Sequence, residues 1–291
     1  MNWFFLALTS ASFSAAAAIF QKKILKNLEA LDFSLLLSIF NVILSIPFLI
    51  NVNYQQLALT NLFVLYIKSI LGCLAFLSVM LAIKNLEISK ALPLLALTPG
   101  LVAVFAFLFI GDSLTFIQVC AIILLLIGTY VLEAQKGQKI LDPFKIFLKS
   151  KNYHYVIFAL LLFTVTSILD RLLLNRYNLP PNAFLGFQHI FFAINFLIIF
   201  LILKKDLKAI VQLSTNSIWF LIMLVAVLTI VYRLTEILAV KIAPVALVLS
   251  VKRISVFFAV IIGGKIFNEK DIAIKALATA LIIIGAILII R

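Results

Sequence analysis

Residues 89–133, SKALPLLALTPGLVAVFAFLFIGDSLTFIQVCAIILLLIGTYVLE, and residues 243–291, APVALVLSVKRISVFFAVIIGGKIFNEKDIAIKALATALIIIGAILIIR, follow the same pattern. Each stretch contains an apolar run, a short turn that holds one acidic residue, Asp112 or Glu269, and a second apolar run with an Ile-Gly pair near its end. Both stretches are too apolar for a water-soluble domain. Because they lie about half the chain apart, they predict a duplicated membrane unit. Two homologous halves that rock against each other around a central site are typical of transporters.

The composition of the chain predicts an integral membrane protein. Hydrophobic residues make up 65% of the 291 residues, charged residues make up 12%, and the mean hydropathy is +1.24. A soluble domain is roughly half apolar and a quarter charged, so lipid must be the solvent for this much apolar surface. The net charge of +13 does not indicate nucleic-acid binding, because the basic residues flank apolar runs. The sequence shows no enzyme motif and no metal-ligand spacing, so we expect no catalysis, no metal and no cofactor.

Apolar runs between polar breaks predict ten membrane-spanning helices, since about 20 apolar residues cross the hydrocarbon. These runs cover residues 3–20, 33–50, 62–83, 88–110, 114–132, 154–174, 183–203, 216–240, 243–263 and 271–290. The one long break is the basic segment 134–153, which we expect to link two repeats and to lie on the membrane surface as an amphipathic helix. The predicted fold is therefore all-α, with ten transmembrane helices in two five-helix repeats at residues 1–133 and 154–291.

Lysine and arginine are distributed unequally between the predicted loops. The loops after odd-numbered spans hold Lys22, Lys23, Lys26, Lys84, Lys90, five lysines of the linker, Lys204, Lys205, Lys208, Lys265 and Lys270. The opposite side holds little more than Arg176, Lys241 and Arg291. By the positive-inside rule the odd loops are cytoplasmic and both termini lie outside, which we expect to be outside a bacterial inner membrane. Because each repeat has five spans, the second repeat is inverted relative to the first.

The chain resembles an EamA-type member of the drug/metabolite transporter superfamily over its whole length. The resemblance rests on the ten predicted spans and on two acid turns with nearby prolines: Gly111-Asp112-Ser113, Asn268-Glu269-Lys270, Pro93, Pro99 and Pro244. Members of this family are alternating-access carriers with a central cavity, which implies a small metabolite as cargo but says almost nothing about which one. They commonly keep both termini in the cytoplasm, whereas the charges of this chain predict the reverse.

Ionisable and polar residues inside the predicted spans mark the candidate site, because a cation at the bilayer centre costs about 2.5–3.5 kcal/mol on insertion scales. Even-numbered spans end on the side where odd-numbered spans begin, so these residues share one half of the bilayer. They predict a polar vestibule that opens on the side of the termini. The predicted substrate-binding residues are Lys68, Asp170, Gln188, His189, Tyr232, Arg233, Glu236, Lys252 and Arg253. The alternative is a set of structural ion pairs, Asp170 with Arg253 and Glu236 with Arg233 or Lys252.

Cations outnumber acids among these residues, which favours an anionic or zwitterionic cargo such as an amino acid or an organic or phosphorylated acid. We therefore expect a gradient-driven secondary transporter of a small metabolite. One alternative is a proton-coupled exporter of cationic or lipophilic compounds, in which Glu236 or Asp170 takes up the proton. An alternative of another class is a lipid flippase or a membrane partner that does not transport.

Two further pairs of residues are expected to shape the helices. Asp112 and Glu269 lie just before helix starts, where a carboxylate accepts unpaired backbone N–H groups, so both are predicted structural caps. Pro93 and Pro99 lie within the fourth span, where a missing hydrogen bond permits bending. Both prolines are predicted hinges, and static kinks fitted by neighbouring helices are the alternative.

Overall fold

The computed structural model is built of helices throughout the residues that it describes, which are 2–50, 52–98, 115–133, 149–207, 215–243 and 245–288. The helices are α1 Trp3–Ile24, α2 Ala30–Ile50, α3 Leu59–Asn85, α4 Ile88–Leu95, α5 Phe116–Glu133, α6 Lys151–Arg171, α7 Pro181–Ile202, α8 Asn216–Ile242, α9 Val245–Lys252, α10 Ile254–Phe258, α11 Gly264–Ile266 and α12 Ile272–Leu288. A 3-10 helix covers Tyr54–Gln56, and π-helical turns cover Leu172–Arg176 and Ala259–Gly263. The expected all-α class is confirmed.

Among the described residues, six helices are long and apolar enough to cross a membrane: α1, α2, α3, α6 with its π-helical turn, α7 and α8. They lie where the sequence predicts the first, second, third, sixth, seventh and eighth spans. Shorter apolar helices lie at the predicted fifth, ninth and tenth spans, at Val119–Gly128, Ile254–Ile266 and Ile272–Gly285. Asp112, Pro99, Pro244 and most of the predicted linker lie outside the described residues, and α6 begins at Lys151, inside the predicted linker.

Local signals explain where several helices begin and end. The side chain of Asn2 accepts a hydrogen bond from the amide of Phe4 at 3.1 Å and so caps α1. Pro181 occupies the first turn of α7, where the missing N–H costs nothing. Lys204 (φ 51°) and Asn268 (φ 53°) adopt the left-handed conformation just after α7 and α11. The amide of the residue that follows each of them donates to a carbonyl five residues earlier, which closes the helix end.

The most extensive helix contacts join distant parts of the chain. α1 packs along α8, α2 along α7, α3 along α6, and α5 along α12. Fully buried side chains from three of these helices, Phe33, Phe196 and Ile222, belong to one apolar cluster. The helices before residue 134 and those after residue 150 therefore share a core, and any site at the centre draws residues from both parts.

α5 and α12 approach each other closely because each contributes a glycine to the contact. A Cβ atom at Gly128 would lie 2.7 Å from Cγ1 of Ile282 and 3.1 Å from the carbonyl oxygen of Ala278. A Cβ atom at Gly285 would lie 3.0 Å from the carbonyl oxygen of Ala121. Small residues permit this approach in membranes, where close packing rather than the exclusion of water drives helix association. The glycines of the two Ile-Gly pairs that recur in the sequence thus lie in one helix contact.

The ninth predicted span is not one continuous helix. α9 ends at Lys252, a turn follows at Arg253, and α10 ends at Phe258 before a π-helical turn. After the turn the hydrogen-bond spacing tightens, because the amide of Val256 donates to the carbonyl of Arg253, three residues earlier, at 3.0 Å. The interruption falls at the adjacent cations Lys252 and Arg253. Irregular backbone at membrane depth is tolerated where it is buried in protein or lines a cavity.

Charged side chains join the two parts of the chain at the end of the helices that is rich in lysine. Lys205, which follows α7, lies 2.5 Å from a carboxylate oxygen of Glu29 and 2.7 Å from one of Asp32. Lys275 of α12 lies 2.7 Å from Glu87, which precedes α4. These contacts hold the short connections α1–α2 and α3–α4 against the second part of the chain.

Replacing Lys205 by Gln is expected to lower the free energy of unfolding by about 0.5–1 kcal/mol, the range of partly exposed ion pairs. The hydrogen bond from Lys205 lowers the pKa of the Glu29 carboxyl. A carboxyl with a lowered folded-state pKa stabilises the fold above its ordinary pKa, and this stabilisation is lost as pH falls through the lowered value. The difference in melting temperature between wild type and K205Q, measured in detergent, should therefore shrink from neutral pH to acid.

Lys204→Gln is the matched control, because it removes the same charge from a neighbouring residue for which the structure records no ion pair. Its melting temperature should stay near that of the wild type at each pH. Equal losses in the two variants, or a K205Q loss that does not change with pH, would contradict the role of this ion pair.

Candidate functional site

A cavity of about 290 Å³ lies between the two parts of the chain. Its walls come from α1, α2, α3, α4, α6, α7, α8 and the region of α9 and α10. α1 contributes the small side chains Ala15, Ala17 and Ala18, which leave open the space that larger residues would fill. The volume is at the lower end of the range of small-molecule pockets, so the cavity fits a metabolite rather than a polymer.

All nine predicted substrate-binding residues line this cavity. They are Lys68 of α3, Asp170 of α6, Gln188 and His189 of α7, Tyr232, Arg233 and Glu236 of α8, Lys252 of α9 and Arg253 of the turn after it. The shared depth of these residues in the bilayer predicts such a grouping. Their role in cargo binding stays a prediction.

Gln188 and Asp170 hold two cations together. Nζ of Lys68 lies 2.7 Å from Oδ1 of Asp170 and donates to Oε1 of Gln188 at 2.9 Å. Nη2 of Arg233 donates to the same Oε1 at 2.9 Å and lies 3.8 Å from Oδ2 of Asp170. The Lys68 ammonium also lies 4.8 Å from the ring centroid of Phe184, within cation–π distance. These contacts fix the positions of both cations beside one carboxylate.

Glu236 connects this group to the cation of α9. Its Oε2 accepts a hydrogen bond from Nη1 of Arg233 at 2.8 Å and lies 2.7 Å from Nζ of Lys252. The Lys252 ammonium lies 5.2 Å from the ring centroid of Tyr232. Glu236 is 6% exposed, and two cations compensate its buried charge. Cations and carboxylates therefore alternate from α3 through α6 and α8 to α9.

Arg253 stands apart from these ion pairs. Within the described part of the chain no carboxylate lies at ion-pair distance from its guanidinium, and its Nε is buried without a hydrogen-bond partner. The structural pair of Asp170 with Arg253 is therefore wrong. Asp170 pairs with Lys68 instead, because α3 packs along α6. The other pairs considered, between Glu236 and its two nearest cations, are both present.

The charges that line the cavity do not balance. Four cations, Lys68, Arg233, Lys252 and Arg253, face the carboxylates of two residues among those that the structure describes. The cavity thus carries a formal excess of two positive charges. In a space walled by lipid-spanning helices such an excess attracts anions strongly, because the low local dielectric screens it little.

A polar stripe on α2 is absent from the predicted site residues. Ser34, Ser38, Asn41 and Ser45 recur at spacings of four, three and four residues and are all buried. This spacing places them on one face of the helix. The three serines donate to carbonyls of their own helix, whereas Oδ1 of Asn41 has no hydrogen-bond partner. Ser34, Ser38 and Asn41 line the cavity. The helical spacing of polar residues in an apolar run was the signal that could have identified them.

Aromatic side chains form another wall of the cavity. Phe76 of α3 lies with its ring centroid 6.2 Å from that of Phe196 on α7, and Phe192 lies 6.1 Å from Phe196. Phe192 fits against α3 because Gly72 has no side chain: a Cβ atom there would lie 2.9 Å from Cζ of Phe192. The cavity therefore presents charged, neutral polar and aromatic groups, a set that binds and orients a small molecule.

A comparison with protein families assigns the first part of this chain. Residues 1–133 match the EamA-like transporter family. The resemblance is confirmed for this part, and the apolar helices of the described residues are those of an integral membrane protein. No curated protein matches the chain.

A solved structure supports the fold over the whole length. It is described only as "Crystal structure of protein", is 16% identical to this chain, and superposes with a TM-score of 0.66. The alignment covers 98% of this chain and 95% of that chain. At this identity the likeness concerns the fold alone. Because the alignment covers nearly the whole chain, the likeness in fold extends beyond residues 1–133.

The acid turn Asn268-Glu269-Lys270 contacts the start of α4, which lies within the EamA-like residues 1–133. Glu269 accepts a hydrogen bond from the amide of Ile88 at 2.7 Å, another from the amide of Ser89 at 3.1 Å, and a third from the Ser89 hydroxyl. The prediction that Glu269 caps the helix that follows it is therefore wrong. The turn folds onto α4, whose first amides have no partners in their own helix. α4 carries Pro93, the hinge candidate within the described residues, so the acid turn holds the segment that this proline would bend.

Replacing Glu269 by Ala is expected to lower the free energy of unfolding by about 1–2 kcal/mol, because the start of α4 loses its acceptor. Glu269→Gln keeps one acceptor oxygen and should lose less. Thermal unfolding of the purified protein measures both losses. Lys270→Gln is the control, since it changes an exposed neighbouring charge. A melting temperature of E269A equal to that of K270Q would contradict the cap on α4.

Proposed function

We propose that this EamA-like chain is a gradient-driven, alternating-access transporter of a small anionic or zwitterionic metabolite, such as an amino acid or an organic or phosphorylated acid. The observation that carries the cargo class is the formal excess of two positive charges in the cavity. Buried cations without partners cost free energy. An anion that enters the cavity removes that cost, whereas a cation raises it.

Arg253 is the group that we propose binds the anion directly. Its planar guanidinium offers five N–H donors, and Nε is buried without a partner. Carboxylates and phosphates accept two parallel hydrogen bonds from such a fork. Lys252 precedes it in the sequence and donates to Glu236 at 2.7 Å, which leaves two further ammonium protons for a ligand.

Two inverted five-helix repeats, residues 1–133 and 154–291 joined by 134–153, are part of this proposal. A symmetry that exchanges the two repeats places span one on span six and span eight on span three. The contact between α1 and α8 then has the contact between α3 and α6 as its counterpart. Under the same exchange the α2–α7 and α5–α12 contacts map onto themselves. The packing of α1, α2, α3 and α5 against later helices supports this symmetry. The family match, which ends at residue 133, supports the first boundary.

The cavity is proposed to open on the side of the termini, with the lysine-rich loops in the cytoplasm and both termini outside a bacterial inner membrane. At the lysine-rich end, ion pairs of Lys205 and Lys275 join the two parts of the chain. At the other end, a long hydrogen bond of 3.4 Å runs from Nδ2 of Asn61 to the carbonyl of Tyr177. The ion pairs at the lysine-rich end favour a conformation closed on that side. Opening there requires these ion pairs to break, with bending at Pro93 as the proposed hinge.

A proton-coupled exporter of cationic or lipophilic compounds is the second candidate. It requires Asp170 or Glu236 to release its cations before it takes up a proton. Each of these carboxylates contacts two cations, at 2.7 and 3.8 Å for Asp170 and at 2.8 and 2.7 Å for Glu236. This arrangement favours the anion carrier, because the carboxylates are already committed to structural pairs. A lipid flippase is distinguished by its action on headgroup-labelled lipids in the same vesicles.

Replacing Arg253 by Gln is expected to reduce uptake of anions about tenfold or more, since a hydrogen bond to a charged group contributes roughly 1.5–3 kcal/mol. Arg253→Lys, which keeps the charge without the planar fork, should retain part of the uptake. The measurement is uptake of radiolabelled glutamate, malate and glycerol 3-phosphate by proteoliposomes. Arg171→Gln is the matched control, because Arg171 is exposed and lies outside the cavity lining.

Glu236→Gln separates the two candidate functions. It removes a carboxylate from the cavity and is expected to keep uptake of at least one of the three anions. A carrier that takes up tetraphenylphosphonium, loses this uptake in E236Q and keeps all anion uptake in R253Q would contradict the anion proposal and favour the proton-coupled exporter.

A further inference from the structure

Two sets stand out among the polar groups that line the cavity. Hydroxyl groups donate to carbonyls of their own helix or turn at Ser34, Ser38, Thr98, Thr166, Ser167 and Thr229. Outside the ion pairs, and within the described part of the chain, three lining residues carry a buried atom without a hydrogen-bond partner: Oδ1 of Asn41, Nε2 of His189 and Nε of Arg253. The first set is satisfied by the protein, and the second set is available to a ligand.

Unpaired buried polar atoms are rare in folded proteins because each costs roughly 1–3 kcal/mol. Asn41 is 5% exposed and His189 is 4% exposed, so bulk water does not provide the missing hydrogen bonds. On α2 the neighbouring serines of the polar stripe bond to their own helix, which leaves Asn41 as the residue of that stripe whose acceptor faces no protein donor. The arrangement indicates that a molecule in the cavity supplies the missing partner.

The chemistry of this missing partner differs from that of the anion bound at Arg253. The amide oxygen of Asn41 accepts a hydrogen bond, and a neutral imidazole nitrogen of His189 either donates or accepts one. A hydroxyl group both donates and accepts, so it matches the chemistry of either side chain, whereas a second carboxylate offers no proton to Asn41. The helices that carry the two residues, α2 and α7, pack along each other. The rings of Phe76 and Phe192 line the same cavity and provide an apolar surface for a carbon skeleton.

We propose that Asn41 and His189 form a neutral subsite that binds a hydroxyl group of the cargo, so that the transported anion is a small hydroxylated acid. This inference rests on the proposed anion transport and adds a second recognition element to it. Asn41 lies on α2 in the first part of the chain, whereas His189 and Arg253 lie in the second part. A hydroxylated anion therefore bridges the two parts, and each of its ends contacts a different wall.

Paired anions test the subsite in the purified full-length protein. L-Malate differs from succinate by one hydroxyl group, and glycerol 3-phosphate differs from n-propyl phosphate by two. In the wild type the hydroxylated member of at least one pair is expected to bind about three- to tenfold more tightly, as one net hydrogen bond implies. Binding is measured by the shift in melting temperature across a concentration series and by competition for uptake into proteoliposomes.

Asn41→Leu keeps the branched shape and the number of heavy atoms of the side chain and removes its hydrogen-bonding groups. The variant is expected to bind both members of the pair equally, at the affinity that the wild type has for the member without the hydroxyl. His189→Leu is expected to act in the same direction. Asn195→Leu is the matched control, because Asn195 is also buried with an unpartnered amide atom but is not among the cavity-lining residues. It should keep the wild-type preference.

The outcomes separate the subsite from the proposed function. If no anion of either pair binds to the wild type, both the proposed anion transport and the proposed subsite are contradicted. If anions bind without any preference for the hydroxylated member, the subsite alone is contradicted. A preference that N195L removes as fully as N41L does, or an N41L variant that weakens both members equally, also contradicts it. Loss of the preference in N41L with retention in N195L supports it, and Asn41→Ala repeats the test if N41L does not fold.

Discussion

Charge compensation between lipid-facing helices is the constraint on which the centre of this molecule depends. Asp170 lies 2.7 Å from Lys68, and Glu236 lies 2.8 Å from Arg233 and 2.7 Å from Lys252. A further contact of 3.8 Å joins Arg233 to Asp170. An uncompensated charge at this depth costs several kcal/mol, because no bulk water is present to solvate it. The pairs link α3 to α6, α6 to α8, and α8 to α9. The helices that surround the cavity therefore keep their relative positions through ionic contacts as well as through apolar packing.

The same constraint explains why the remaining groups are candidates for function. After the ion pairs are formed, Arg253 has no carboxylate partner in the described part of the chain, and Asn41 and His189 have no donor or acceptor for their buried atoms. These three residues line one cavity, and their side chains differ in the groups that they are able to bind. A guanidinium selects an anion, whereas an amide and an imidazole select a neutral hydrogen-bonding group. Structural ion pairs and the groups proposed to bind a ligand are thus neighbours in the same cavity.

Small residues and helix ends make the rest of the architecture possible. The alanines of α1 leave the cavity open, and Gly128 and Gly285 bring α5 and α12 together away from the cavity. Glu269 caps α4, a helix whose residues Leu92 and Leu95 line the cavity. The acid turn therefore connects the lysine-rich end of the molecule with the wall of the candidate site. A movement that opened this end would also displace α4, as the proposed alternating-access function requires.

The sequence by itself determined the membrane class, the places of the six long spans and the depth of the ionisable residues, because hydropathy and the rise of 1.5 Å per residue act locally along the chain. Shared depth sufficed to group the nine predicted site residues around one cavity. The partners were decided only by the tertiary structure. Asp170 pairs with Lys68 rather than with Arg253 because α3 packs along α6, and Glu269 binds α4 because its turn folds across to the other part of the chain. The position of a residue in its span determines the depth of its side chain in the bilayer. Which side chains it contacts at that depth depends on which helices pack side by side, and no local pattern in the chain specifies that packing.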